Sequence, residues 1–185
     1  MGFYGQEIIP AMQKMEDLEK LMVSNYTYII VLEVHVSRLK PIFQMAQAHN
    51  KKLILHMDLV HGLKSDEYAT EFVCQELKPF GIISTKSSVI LKAKQKGVTA
   101  IQRMFLIDSY ALEKSYKLIE KTKPDFIEVL PGAIPQMITE VKKQLKIPIF
   151  AGGLIRTMEE VQNALNAGAE AVTTSRKELW NNEGL

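Results

Sequence analysis

The sequence predicts a small α/β protein of the TIM type, a (β/α) barrel with seven strands and an extra helix before the first strand. Short apolar runs rich in Ile, Val and Thr alternate with segments of helical periodicity along the chain. The runs are continuously hydrophobic, which is typical of strands buried on both faces of a parallel sheet. Polar residues and glycines gather where these strands end, and a barrel of this type carries its site at that end.

Seven apolar runs are long enough to form buried strands, and each is followed by a segment with one apolar face. The predicted strands are Tyr28–Val34, Lys52–Leu59, Gly81–Thr85, Thr99–Leu106, Phe126–Leu130, Ile147–Ala151 and Ala171–Thr174.

The helical segments carry their own signals. Thr157 and Glu160 form a capping box at the start of one helix. The extra N-terminal helix is predicted from Met15, Leu18 and Met22, which share one face. Strands and helices in strict alternation indicate a parallel fold with right-handed connections.

The 185 residues are predicted to form one domain, 1–185, because no linker or charge block divides them. No signal peptide is expected, because no basic segment followed by an apolar one stands near residue 1, and the longest apolar run is too short to cross a membrane. Cys74 is the single cysteine, which fits a reducing compartment. We therefore expect a cytoplasmic protein with no membrane partner, and both a monomer and a homo-oligomer remain open.

Charged side chains stand at the ends of several predicted strands, where apolar residues are expected. These are His56, Asp58, Lys86, Arg103 and Glu128. Residues two apart on a strand face the same side, so His56 and Asp58 are predicted to project together. Buried charges persist when they pair with each other or with a ligand, so either a plug of ion pairs or a shared site explains them. A shared site is favoured over the plug, and over a metal ion held by His56, Asp58 and Glu128.

Two turns near the C-terminus favour a phosphate group. The sixth predicted strand runs into Gly152 and Gly153, where backbone N–H groups can approach an anion without obstruction by a Cβ atom. The seventh strand ends at Thr174, Ser175 and Arg176, just before a short helix whose N-terminus favours an anion. The last two strand–helix loops of such barrels commonly grip phosphate. An open doubly wound sheet, the alternative fold, more often has its glycine-rich loop after the first strand.

A small phosphorylated ligand with hydroxyl groups accounts for the whole set of residues. The two turns would hold its phosphate, whereas His56, Asp58 and Glu128 would exchange hydrogen bonds with hydroxyl groups. Arg103 or Lys86 would neutralise charge. No catalytic residue, metal or cofactor is predicted.

The sequence resembles the glycerol-3-phosphate-responsive antiterminator family from about Ile8 to Trp180. The segments that carry the resemblance are His56–Leu59, Asp66–Tyr68, Glu71–Pro79, Gly81–Ser88, Ala93–Lys96, Ile101–Phe105, Ile127–Gly132, Ile147–Thr157 and Thr173–Ser175. The resemblance implies a seven-stranded barrel that binds glycerol 3-phosphate. It also implies binding to a leader messenger RNA, so that a transcription terminator does not form, in operons for glycerol uptake and metabolism.

A basic stretch offers a surface for RNA. From residue 86 to residue 123 there are nine Lys and Arg residues against three acidic ones, an excess of +6 in a chain of net charge +2. The predicted RNA contacts within it are Lys92, Lys94, Lys96, Lys114 and Lys117.

Two alternatives to the RNA regulator stay open. One is a sugar-phosphate aldolase or isomerase, in which Lys86, Asp58 and Glu128 would act around the cavity. The other is an indole- or flavin-type barrel that has lost its activity and only binds its ligand.

Overall fold

In a computed structural model, eight parallel strands form a closed barrel. The structure describes residues 3–184, with side chains described for residues 3–180. The barrel strands, in their order around the ring, are β1 (Ile8–Met12), β2 (Tyr28–Val31), β4 (Lys52–His56), β6 (Gly81–Ser84), β7 (Thr99–Phe105), β8 (Phe126–Leu130), β9 (Ile149–Gly152) and β10 (Ala171–Thr174).

One helix follows each barrel strand and covers the outside of the ring. The helices are α1 (Met15–Met22), α2 (Val36–Ala48), α3 (Glu67–Glu76), α4 (Ser87–Gln95), α5 (Ser109–Thr122), α6 (Pro135–Leu145), α7 (Met158–Asn166) and α8 (Lys177–Gly184). Two short parallel strands, β3 (Val34–His35) and β5 (Val60–His61), pair outside the barrel beyond the ends of β2 and β4.

The barrel is confirmed, but it has eight strands and not seven. The strand that the sequence analysis missed is β1, which pairs with β10 through Ile8 and Val172 and with β2 through Ala11 and Ile30. Pro10 lies in the middle of this strand, and a proline argues against a central strand because it has no N–H to donate. The helix α1 is therefore not an extra element but the helix of the first strand–helix unit.

Two predicted strands are too long. The run Tyr28–Val34 is divided between β2 and β3, and Lys52–Leu59 ends as a strand at His56. A 3₁₀ turn, Met57–Leu59, follows directly. The expectation that His56 and Asp58 share one face of a strand is therefore wrong, because the backbone turns between them.

The interior of the barrel is apolar at the N-terminal ends of the strands. Phe3 is 3% exposed and closes this end as a plug. The centroid of its ring lies 4.7 Å from that of Tyr28, 5.1 Å from Phe126, 4.9 Å from Phe150 and 6.0 Å from Phe80. Buried isoleucines form the next layer, namely Ile9, Ile30, Ile54, Ile83 and Ile101. Ligand access is thereby confined to the opposite end.

Replacing the plug should destabilise the barrel. We expect Phe3→Ala to lower the free energy of unfolding by about 3–5 kcal/mol, because it removes a fully buried ring. Tyr4→Ala is the matched control, since its ring is 72% exposed, and it should cost less than about 1 kcal/mol. Urea unfolding measures both values. Equal losses in the two variants would contradict the plug.

Candidate functional site

A polar layer caps the isoleucines at the C-terminal ends of the strands. Glu128 on β8 is 1% exposed, and its Oε2 accepts a hydrogen bond from Arg103 Nε at 2.6 Å. Its Oε1 accepts one from Thr173 Oγ1 at 2.7 Å. Arg103 on β7 aligns directly with Glu128 in the strand register. The buried carboxylate is thus both paired in charge and hydrogen-bonded, which is the condition for burying an ion without a large penalty.

A cavity of about 420 Å³ opens above this layer. Its walls come from β1, β2, β7, β8 and β10 and from the segments that follow β1, β2, β4, β9 and β10. The lining residues are Ala11, Gln13, Ile30, Leu32, Leu59, Arg103, Glu128, Leu130, Gly153, Leu154, Ile155, Arg156, Thr173, Thr174, Ser175 and Arg176. The volume suits a small molecule.

The cavity carries excess positive charge. Among the described residues that line it, Arg103, Arg156 and Arg176 carry positive charge and Glu128 is the one carboxylate. Arg176 Nη1 lies 3.5 Å from the carbonyl oxygen of Arg156, so the two exposed arginines are adjacent. Among the described residues, only Glu128 accepts a side-chain hydrogen bond from Arg103, and it does so at Nε. The terminal guanidinium nitrogens of Arg103 can therefore still donate to an anion.

The two predicted turns lie side by side at the cavity wall. Gly153 has φ of 76° and Leu154 has φ of 60°, so the chain turns sharply after β9. Over the described part of the chain, no group accepts a hydrogen bond from the backbone N–H of Gly153, Leu154 or Ser175. Backbone N–H groups without an acceptor, next to arginines, are suited to bind an anion.

Gly152 has a different part in the site. It belongs to β9, and a Cβ atom built on it would lie 2.5 Å from Thr173 Oγ1 and 3.1 Å from Glu128 Oε1. The absence of a side chain at this position leaves the room in which Thr173 reaches Glu128. Gly132 is equally constrained, because a Cβ there would lie 2.7 Å from the backbone nitrogen of Gly152.

His56 lies buried at the end of β4 beside the polar layer. It is 2% exposed, and neither ring nitrogen has a hydrogen-bond partner among the described residues. Burial lowers its pKa to about 4, and the charge of Arg103 adds to that effect while Glu128 and Asp58 oppose it. The imidazole is therefore neutral near pH 7, with one nitrogen that can donate and one that can accept.

Four predicted site residues do not line the cavity: His56 and Gly152, described above, and Asp58 and Lys86. Asp58 Oδ1 accepts hydrogen bonds from Ser84 Oγ at 2.5 Å and Ser65 Oγ at 2.7 Å. Its Oδ2 accepts from the backbone nitrogen and Oγ1 of Thr85, at 2.7 and 2.8 Å. Burial raises the pKa of Asp58, but these hydrogen bonds outweigh it and hold the pKa below its ordinary value. Lys86 Nζ donates to the carbonyl oxygen of Ser65. Both side chains fasten the loop after β4 to the end of β6.

Sequence reasoning missed three polar residues that line the cavity, Arg156, Thr173 and Gln13. Arg156 lies between the glycine turn and the capping box, so its position in the phosphate loop was the available signal. Thr173 was visible as a polar residue within a buried strand. Gln13 could not be predicted as a site residue, because it follows β1, the strand that was not predicted.

The basic residues predicted to contact RNA divide into two groups. Lys92 and Lys96 both pair with Glu71 on α3, and Lys94 lies 3.4 Å from Asp125. Lys114 and Lys117 on α5 are exposed, and neither forms an ion pair with a described residue. The three lysines of α4 thus already have carboxylate partners within the protein.

Other chemistries find little support in the described residues. They contain no cluster of three His, Cys, Asp or Glu side chains able to hold a metal ion. Burial raises the pKa of the Cys74 thiol to about 11, so this thiol is protonated near neutral pH. Within the same part of the chain, every helix is too short or too polar to span a membrane.

The fold and the site define a parallel (β/α) barrel with an arginine-lined cavity at the C-terminal ends of its strands. Comparison with known proteins makes the class specific. The sequence model of the glycerol-3-phosphate responsive antiterminator family matches residues 8–180. This chain belongs to that family, as its sequence resemblance predicted.

Solved structures and a relative found by sequence agree with the family assignment. The glycerol uptake operon antiterminator regulatory protein from Listeria monocytogenes is 50% identical, with a TM-score of 0.95 over 98% of both chains. A related protein from Thermotoga maritima is 30% identical, with a TM-score of 0.84 over 95% of this chain and 98% of that one. The protein YgcP of Escherichia coli is 31% identical over 94% of this chain and 91% of its own length. Two aldolases, at 15% and 12% identity and a TM-score of 0.67 each, share the fold alone.

The buried His56 should make stability depend on pH. Its pKa is about 4 in the folded protein against an ordinary value of 6.5, so between these values the unfolded chain binds more protons. Stability therefore falls as pH decreases from 6.5 towards 4, and the loss from pH 7 to pH 5 should be about 2 kcal/mol.

Urea unfolding at both pH values, in wild type and in His56→Leu, isolates this contribution. The variant should lose less stability on acidification than wild type does. The same loss in both proteins would show that His56 is not the titrating group.

Proposed function

We propose that this chain senses glycerol 3-phosphate and, in response, binds leader mRNA as a transcription antiterminator for operons of glycerol metabolism. Family membership supports the class of regulator. The observation that carries the ligand is the cavity, where three arginines and unpartnered backbone N–H groups surround a space of about 420 Å³.

The phosphate end of the ligand fits the two loops after β9 and β10. Backbone N–H groups of Gly153, Leu154 and Ser175 supply directional donors, and the Arg156 and Arg176 side chains supply charge. Charge-assisted hydrogen bonds are about twice as strong as neutral ones. A dianion held by both kinds of donor is bound more strongly than a neutral polyol of the same size.

The hydroxyl end of the ligand fits the polar layer. Glu128 is fixed by Arg103 and Thr173, so its carboxylate is held as an acceptor for a hydroxyl proton. His56 is neutral and has no hydrogen-bond partner among the described residues, but it does not line the cavity, so we assign it no direct contact with the ligand. Asp58 is assigned no hydrogen bond to the ligand, because four protein donors already occupy its carboxylate oxygens.

The phosphate loop provides the first test. An added Cβ atom at Gly153 would lie 3.3 Å from Leu130 Cδ2 in the cavity wall, so Gly153→Val should distort the phosphate loop and abolish the rise in melting temperature that glycerol 3-phosphate gives the wild type. A ligand at 100 times its Kd adds about 2.7 kcal/mol of stability. For the wild type, glycerol 3-phosphate should raise the melting temperature more than inorganic phosphate does, and glycerol should raise it least.

Gly97→Val is the matched control for Gly153→Val. Gly97 has φ of 72°, close to the 76° of Gly153, and an added Cβ would meet no atom within 4 Å. Both variants therefore suffer the backbone strain of a left-handed position, but only one alters the cavity. A retained ligand shift in folded Gly153→Val would refute the placement of the phosphate.

The second candidate function is an aldolase or isomerase, which the shared fold with aldolases favours. An aldolase that works through a Schiff base needs a lysine amine in the cavity. No described lysine lines the cavity, and Lys86 Nζ is bound to the carbonyl oxygen of Ser65.

Borohydride trapping distinguishes a Schiff-base aldolase from the sensor. We expect borohydride treatment with dihydroxyacetone phosphate to leave the mass of the protein unchanged, because no amine meets the carbonyl group. Intact-mass spectrometry gives the answer, and a true aldolase treated in parallel controls for the trapping chemistry. A covalent adduct on Lys86 would contradict the proposed sensor function and support the aldolase.

A further inference from the structure

Charge is segregated along the axis of the barrel. Acidic residues occupy the first turns of α1, α3, α7 and α8, at the end that holds the cavity. Lysines occupy the last turns of α1, α4, α5 and α6, at the opposite end. Both placements complement the helix dipole, so by themselves they need no ligand.

One basic surface is not explained by helix dipoles. A groove of about 550 Å³ runs between α2 and α3 towards the plugged end of the barrel. Its described lining includes Lys40, Lys51, Lys52 and Lys78, and Glu76 is the one carboxylate among these described residues. Neither α2 nor α3 has a basic last turn. The lysines come from separate elements and converge on one surface, which we name the α2–α3 groove.

The lysines of this groove lack carboxylate partners. Lys40, Lys52 and Lys78 are exposed, and none of them forms an ion pair with a described residue. Lys51 donates to two backbone carbonyl oxygens, those of Ser24 and Tyr26. The lysines of α4, in contrast, are paired with Glu71 and Asp125. Unpaired cations placed close together repel each other, and an anionic partner relieves that cost.

Aromatic rings stand beside these cations. Lys52 Nζ lies 5.2 Å from the ring centroid of Tyr28 and 5.4 Å from that of Phe80, which itself lines the groove. Tyr4 stacks on Tyr28 at 5.4 Å and is 72% exposed, so one face of its ring is available. Single-stranded nucleic acids bind where a basic groove follows the backbone and aromatic rings stack on bases.

We propose that the α2–α3 groove, with the exposed ring of Tyr4 at its end, is the RNA-binding surface of this protein. The proposal rests on the proposed function, which supplies RNA as the partner. Lys40, Lys52 and Lys78 contact phosphates, and Tyr4 stacks on an unpaired base. The RNA then lies at the opposite end of the barrel from the effector cavity.

The test compares two triple variants of equal charge. Lys40→Gln, Lys52→Gln and Lys78→Gln alter the groove, whereas Lys114→Gln, Lys117→Gln and Lys121→Gln remove the same charge from the exposed surface of α5. The probe is RNA enriched from a random-sequence pool by the unmodified protein in the presence of glycerol 3-phosphate. Affinity is measured over a range of salt concentrations.

The groove variant should bind RNA more weakly, and its slope of log K against log salt should be flatter by about two units, for three lost phosphate contacts on a single strand. The α5 variant should keep the wild-type slope. Both should keep the melting shift with glycerol 3-phosphate, which shows that the barrel and the cavity are intact.

Tyr4→Ala separates stacking from charge. It should lower the affinity about tenfold, within the range for one stacked base, and leave the salt slope unchanged. Photocrosslinking of the same RNA, followed by peptide mass spectrometry, should mark Tyr4 or Phe80.

The outcomes distinguish the two proposals. If the unmodified protein enriches no RNA, the proposed function fails and the groove assignment fails with it. If it binds RNA but the groove variant keeps the wild-type affinity and slope, the groove assignment alone is overturned. A flattened slope in the α5 variant, or crosslinks confined to α5, would move the RNA to the basic stretch.

Discussion

The rest of the structure depends on the pairing of β1 with both β10 and β2. Without it, the sheet would have two open edges, and an exposed edge is a site for aggregation. With it, the chain becomes a ring whose interior has two distinct ends. Phe3 precedes β1 by a few residues, so the strand that closes the ring also carries the plug into place. The cavity can then form only at the other end.

The polar layer at that end shows how a buried charge is made tolerable. Glu128 is nearly inaccessible, and burial of a single carboxylate would cost several kcal/mol. Arg103 supplies the opposite charge and Thr173 a further donor, each from a neighbouring or nearby strand. The side chains fit because residue 152 is glycine. The layer is thus a property of four strands together, and none of its members could be replaced without a consequence for the others.

Local sequence signals predicted the alternation of strands and helices, the capping box at Thr157 and the turn at Gly153. They also gave Arg103 and Glu128 as strand residues that face a common site, although not as a pair. Each of these depends on nearby sequence or on the period of a strand. The sequence did not predict β1, because Pro10 argues against a central strand. In the barrel, pairing with β10 and β2 outweighs this unfavourable residue.

The misplacement of Asp58 and the pairing of the α4 lysines have another cause. The 3₁₀ turn after His56 changes the direction of the chain, and Met57–Leu59 contains no glycine or proline that would predict it. Glu71, which pairs with Lys92 and Lys96, lies on the preceding helix. Such contacts follow from how helices pack around the barrel, so a count of charges along the sequence overestimates the cations free to meet RNA.

A cavity at one end and a basic groove at the other require a physical connection if the effector is to control RNA. An effector changes the affinity for RNA only when it binds one conformation of the protein more tightly than another, and RNA must then tighten the effector by the same factor. Two strands reach both surfaces. β4 begins at Lys52 in the groove and ends at His56 beside the polar layer. β2 begins at Tyr28, whose ring contacts Lys52, and Leu32 of the cavity wall follows its last residue. These strands pair directly with each other. The isoleucine layer between the two ends is close-packed, and close-packed interiors resist continuous deformation. A displacement of β2 and β4 as a unit, relative to their neighbours, is therefore the simplest change that would alter both surfaces together.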